Sequence, residues 1–229
     1  MKNTLKIFRT VLILLLLLVI AFSGYKIITI MSDYHDVAVV NDEVREEYVK
    51  RASEEEGLPE VDFEGLQALN PDIVAWIYIP DTNVDFPVLK GATNDSYIYT
   101  NYKRQYSFAG SIFMDERCSA DFSDEETMIY GHNMHNGDMF GRLKKFQDEK
   151  YLEAHKDVYI LLPGDVCLHY LADVGKYILI SDDVYDLPKT DGKRETLVLS
   201  TCTDDSSNTE RFVLICNYEE KIKGTKSDN

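Results

Sequence analysis

Eight short β-rich runs, separated by Gly, Pro, Asp and Asn, follow one another after Pro71 and restrict this chain more than any other feature. They read "VAWIYIP", "VDFPVL", "GSIFMD", "ETMIYG", "DVYILLP", "VCLHYLADVGKYILIS", "ETLVLST" and "RFVLICN". β-Branched and aromatic residues dominate each run, and the punctuating residues supply turn conformations that strand interiors reject. Many short strands with polar turns fold as a barrel or a sandwich, so the body is expected to be mainly β. The 15 Tyr and 10 Phe among 229 residues suit that class. One stretch interrupts the pattern: "DMFGRLKKF" places Met139, Leu143 and Phe146 on one face and predicts a helix over 138–146.

The amino end is built differently. Lys2, Lys6 and Arg9 precede "TVLILLLLLVIAFSGY", and residues 10–31 hold a single charge, Lys26, near the outer end, where a lysine can snorkel to an interface. Basic residues before the span and Asp33, Asp36, Asp42, Glu43 and Glu46 after it predict a cytoplasmic segment 1–9, a transmembrane anchor 10–31 and a body outside the cell membrane. A cleaved signal peptide is the competing reading, because "AFS" at 21–23 loosely resembles a cleavage site. Apolar residues continue past that point, which favours the uncleaved anchor.

Residues 32–68 read as an extracellular helical stalk and short amino-terminal helices, with "DFEGLQALN" carrying Phe63, Leu66 and Leu69 at helical spacing before Asn70-Pro71 stops it. The β-rich body occupies 69–219, and 220–229 reads as a flexible tail.

A net charge of −16 makes nucleic acid an unsuitable partner, since phosphate binding needs a basic face. The acidic excess reads as a solvated surface. Four cysteines, at 118, 167, 202 and 216, include no C-x-x-C pair, which argues against a zinc knuckle or a thioredoxin-like centre. Cys118 and Cys167 are expected to be free, buried thiols.

The candidate chemistry lies at "TLVLSTC" and "RFVLIC". An antiparallel hairpin turning between Ser206 and Ser207 pairs Cys202 with Arg211, Ser200 with Val213 and Val198 with Ile215, and sets Cys216 on the other face beside Leu197. A cation beside a thiol favours thiolate, the nucleophilic form. The bland alternative makes Cys202 a small buried hydrophobe and Arg211 a surface charge. For a base, "MIYGHNMHNGDMF" puts His132 just after a strand, in a polar turn. His155 falls in a turn beside Lys156 and Asp157, and His169 lies within a strand as a structural histidine. His132 and His135 form an H-x-x-H pair, but no third ligand stands at a recognisable spacing, so no metal is expected.

"IYGHNM", "LSTC" and the following Arg together resemble the sortases, the membrane-anchored cysteine transpeptidases of Gram-positive bacteria. The likeness runs over about 69–218 through "NPDIVAWIYIPDTNVDFPV", "YSFAGSIFMD", "MIYGHNMHNGDMFGRLKKF" and "TLVLSTC", and is greatest to class B. It implies a closed, mostly antiparallel sortase-type β-barrel with a few peripheral helices. It also implies Cys202 as nucleophile, His132 as general acid/base and Arg211 as oxyanion stabiliser, with Asp204 holding Arg211 and with Ser200, Thr201 and Asn133 in supporting or substrate-binding positions. Asp205 is equally suited to a plain turn role.

The implied partners are secreted proteins bearing a Leu-Pro-x-Thr-Gly or Asn-Pro-x-Thr type sorting motif, and an amine acceptor on a peptidoglycan precursor or a pilin subunit. The reaction requires no metal or organic cofactor. Alternatives are a catalytically silent wall-binding or scaffolding module on the same fold, and a cysteine peptidase that releases its product to water. Two positions depart from the family pattern: Val198 stands where threonine is usual, and "SDDVYDLPKTDGKR" is a loop where class B enzymes carry a helix-containing insertion.

Overall fold

The computed structural model describes residues 2–50, 57–181, 194–202 and 209–223. It divides into two compact units, Met1–Asp42 and Glu43–Asn229.

The first unit belongs to one long helix, α1 (Lys2–Tyr48). Its apolar side chains from Ile7 to Met31 stand exposed, and the helix is long and apolar enough to cross a membrane. Exposure of an unbroken apolar surface is what a lipid-facing segment requires.

The second unit opens with the last turn of α1, where Val44 is buried. There Arg45 Nε donates to the Asp85 carbonyl at 2.9 Å, and its guanidinium lies 4.6 Å from the centre of the Phe86 ring. The buried Trp76 indole N–H donates to Asp85 Oδ1 at 2.7 Å, so one aspartate ties helix end and barrel together. Two short strands, β1 (Val49–Lys50) and β2 (Glu60–Val61), pair antiparallel within the stretch read as a helical stalk. α2 (Phe63–Leu69) is the short helix expected there; the Asp62 carboxylate accepts from the Gly65 N–H at its start.

The eight runs form the eight strands of a closed barrel. They are β3 (Ile73–Tyr78), β4 (Asp85–Leu89), β5 (Ile112–Met114), β6 (Glu126–Gly131), β7 (Asp157–Leu162), β8 (Val166–Leu179), β9 (Thr196–Cys202) and β10 (Glu210–Lys223). Their order is β10-β8-β7-β3-β4-β5-β6-β9, and β9 pairs with β10 to close the ring. Pairing is antiparallel except for β4 with β5 and β6 with β9. Closure removes the free edges that an open sheet would expose. Trp76, Phe86, Phe122, Phe140, Tyr170 and Phe212 are the largest fully buried side chains.

Two expectations change. The helix read over 138–146 is a run of turns followed by a 3₁₀ turn at Leu143–Gln147, and a short helix α3 (Glu149–Ala154) follows it. Met139 takes φ 51° and Gly137 φ 84°, values that no α-helix contains, yet Met139, Leu143 and Phe146 are all buried. Their spacing reported burial correctly and helicity wrongly. At the other end, β10 runs to Lys223, beyond the boundary read at 219, because Glu220, Lys221, Ile222 and Lys223 pair with His169, Leu168, Cys167 and Val166 of β8. Residues 182–193, most of the stretch read as a loop in place of the class B insertion, lie outside the described residues.

Candidate active site

Three adjacent strands bring the candidates together. β9 ends at Cys202, and its antiparallel register with β10 sets Cys202 opposite Arg211, Ser200 opposite Val213, Val198 opposite Ile215 and Leu197 opposite Cys216. On the other side β9 runs parallel to β6, with Tyr130 level with Ser200 and Gly131 level with Thr201. One residue further along both chains stand His132 and Cys202. Neighbouring strands lie about 4.8 Å apart, so the backbones of His132, Cys202 and Arg211 form a short row across one end of the barrel.

His132 is half-buried just past β6. Its Nε2 lies 2.8 Å from the main-chain carbonyl of Ile98, and the Tyr99 ring is tilted against the imidazole with centroids 5.8 Å apart. A carbonyl only accepts, so Nε2 carries the proton and the neutral ring keeps its lone pair on Nδ1. Burial lowers the imidazole pKa below its usual value, and the hydrogen bond to Ile98 opposes this. The loop beyond is pinned: the Phe140 N–H donates to the His132 carbonyl at 3.0 Å, and the Asn83 amide donates to the Gly137 and Met139 carbonyls at 2.9 and 3.1 Å. Asn133 forms an isolated bridge with Met139 inside that loop.

Arg211 is half-buried, with Nη1 donating to the Glu210 carbonyl at 2.9 Å, and its other strand neighbour is Ile178 of β8. Ser200 and Thr201 are buried, and the Thr201 hydroxyl has no hydrogen-bond partner among the described residues. Val198 is fully buried, so the exchange at that position preserves the strand. Asp204 and Asp205 lie outside the described residues.

Two of the other histidines, His155 and His169, are occupied elsewhere. His169 Nε2 is 2.8 Å from Asp157 Oδ1 and its ring stacks on Tyr159; His155 stacks on Tyr151. Cys118, Cys167 and Cys216 are free and buried, as expected for the first two. Ile98, Tyr99 and Asn83 escaped the sequence reading. A main-chain carbonyl has no residue signature, and only the tyrosine-rich "SYIYTNY" offered a hint.

A closed barrel with cysteine, histidine and arginine at neighbouring strand ends defines the class of structure. The family model for the sortase domain matches residues 77–219, and the chain belongs to the sortase family. It is 41% identical over 145 residues to Sortase B of Listeria monocytogenes, a match covering 62% of this chain and 58% of that protein. It is 30% identical over 151 residues to Sortase B of Staphylococcus aureus, covering 66% and 62%. The chain thus spans about three fifths of the length of these curated relatives. Among solved structures it is similar to sortase B from Bacillus anthracis in complex with AAEK1, at a TM-score of 0.64 and 28% identity over 83% of this chain and 99% of that one.

Proposed function

We propose that this chain is a membrane-anchored cysteine transpeptidase with a cytoplasmic amino terminus and an extracellular catalytic barrel. The observation that carries the reading is the double register around β9, which is parallel to β6 and antiparallel to β10, so that Cys202 stands between His132 and Arg211. Cys202 attacks the scissile carbonyl of a sorting motif near the carboxy terminus of a secreted protein. Arg211 offsets the charge on the tetrahedral oxygen. His132 takes the Cys202 thiol proton on Nδ1 and delivers it to the leaving amine as the C–N bond breaks and a thioester forms. An incoming amine on a cell-wall peptide or a pilin subunit then attacks the thioester, passes a proton to His132 and leaves as a new amide, releasing Cys202.

With Nε2–H engaged by Ile98, Nδ1 is the nitrogen that exchanges these protons. Thr201, whose buried hydroxyl is unpaired among the described residues, Ser200 and Asn133 support the bound peptide, and the family resemblance gives Asp204 the task of holding Arg211. The exposed apolar face of α1 supports membrane anchoring. No metal or organic cofactor enters any step.

The test uses the full chain in detergent micelles with a library of sorting-motif peptides, with and without an amine acceptor. Ligation that depends on the acceptor is the expected result. Hydrolysis alone would identify a cysteine peptidase, and neither product would leave a silent wall-binding module.

A further inference from the structure

Among the described residues, no carboxylate touches the His132 ring; its polar partner is a main-chain carbonyl. A carbonyl orients an imidazole only as well as its own chain segment is held, so the segment around Ile98 acquires a functional burden. Three independent restraints converge on it.

The carbonyls on either side of Ile98 are both engaged: the Ser111 N–H donates to Tyr97 O and the Ser107 N–H to Tyr99 O, each at 3.0 Å. These two bonds fix the peptide groups on either side of the Ile98 carbonyl within a turn, and that carbonyl is the one that meets His132. The Tyr97 side chain is buried, its hydroxyl donating to Asp72 Oδ2 at 2.6 Å and accepting from the Asn70 amide at 3.1 Å. The same Asn70 amide donates to the Tyr102 carbonyl at 3.0 Å, which ties the far end of the loop to one buried side chain. Gly110 takes φ 57°, and a Cβ there would lie 2.2 Å from Ile98 O and 2.5 Å from Tyr97 O. Only a residue without a Cβ lets both carbonyls close on that point.

We propose that Tyr97 and Gly110 are positioning residues for His132, acting through the Ile98 carbonyl to keep the imidazole proton on Nε2 and the lone pair on Nδ1. The inference rests on the reading of His132 as the acid/base. It places the orienting task, given in many catalytic histidines to a carboxylate, on a clamped main-chain carbonyl.

The experiment is NMR of the full chain in detergent micelles with ¹⁵N-labelled histidine, comparing wild type, Tyr97→Phe and Gly110→Ala, with the His132 signals assigned by their loss in His132→Gln. The wild type is expected to show the proton on Nε2 and protected from exchange with water. In both variants that exchange should quicken at least tenfold. A wild-type proton on Nδ1, or unchanged exchange in folded Tyr97→Phe, would overturn the proposal. If Gly110→Ala does not fold, Tyr97→Phe decides alone, since it removes one hydroxyl and no volume from the backbone clamp. Failure of the acid/base reading itself shows elsewhere, as full turnover by His132→Ala, and leaves the tautomer result standing.

Discussion

Arg211 of β10 stands directly opposite Cys202 of β9, the last residue of its strand. In the proposed reaction this pairing makes three variants informative. Cys202→Ala should abolish both the acyl-enzyme and turnover while leaving the fold intact. Arg211→Lys keeps the charge but loses the planar fork, and should lower turnover by about a hundredfold to a thousandfold. His132→Ala should also remove turnover. Mass spectrometry of the enzyme trapped with a sorting peptide checks the assignment, and an adduct on any other cysteine would refute it.

The remaining thiols should be silent in the native protein. Burial pushes Cys118 up to about 11 and Cys167 up to about 12, and raises Cys216 further. Iodoacetamide at about pH 8 should therefore modify Cys202 alone, and all four cysteines after unfolding, because the thiolate is the reactive form. Peptide mapping that found Cys167 labelled as quickly as Cys202 would contradict this.

Asp115 should govern part of the acid sensitivity. Its burial would raise the carboxyl pKa, but Arg117, through two side-chain bonds at 2.8 and 2.9 Å and its backbone N–H, and the Tyr130 hydroxyl at 2.7 Å outweigh it and hold the group at about 2. The folded value lies below the ordinary 3.8, so the stabilisation is present above the unfolded pKa and is lost as pH falls toward the folded one. It amounts to about 2 kcal/mol. Unfolding midpoints of wild type and Asp115→Asn, measured between about pH 5 and pH 2.5, should converge on the acid side.

Gly131, at the end of β6 beside the site, leaves no room for a side chain. A Cβ there would meet Ile112 Cδ1 at 2.5 Å and Phe140 Cδ2 at 2.6 Å. Both neighbours are buried, so Gly131→Ala should cost about 1–3 kcal/mol through overpacking. Thermal unfolding of the two proteins measures it; an unchanged midpoint would show that Phe140 yields freely.

For the membrane assignment, the full-length protein should fractionate with membranes, and protease added to spheroplasts should remove the barrel. A mature chain beginning near Gly24 would show cleavage instead.

Much of this fold was legible before any coordinates. Strand identity follows from local composition and turn residues, so all eight runs became barrel strands. The β9–β10 register was equally accessible, since a short connection between two adjacent runs leaves few alignments that pair their apolar positions. The same reasoning failed over 138–146, where apolar spacing is satisfied as well by turns anchored through Asn83 as by a helix.

The sequence by itself determined which residues become strands and which cysteine faces an arginine, because those choices are local. Tertiary structure alone decided that β6 lies parallel to β9, bringing His132 level with Cys202. It alone decided that the Ile98 carbonyl holds the imidazole. Parallel pairing joins segments far apart in the chain without a turn to set their register, and a peptide carbonyl is the same in every residue, so neither choice leaves a local trace for composition or periodicity to report.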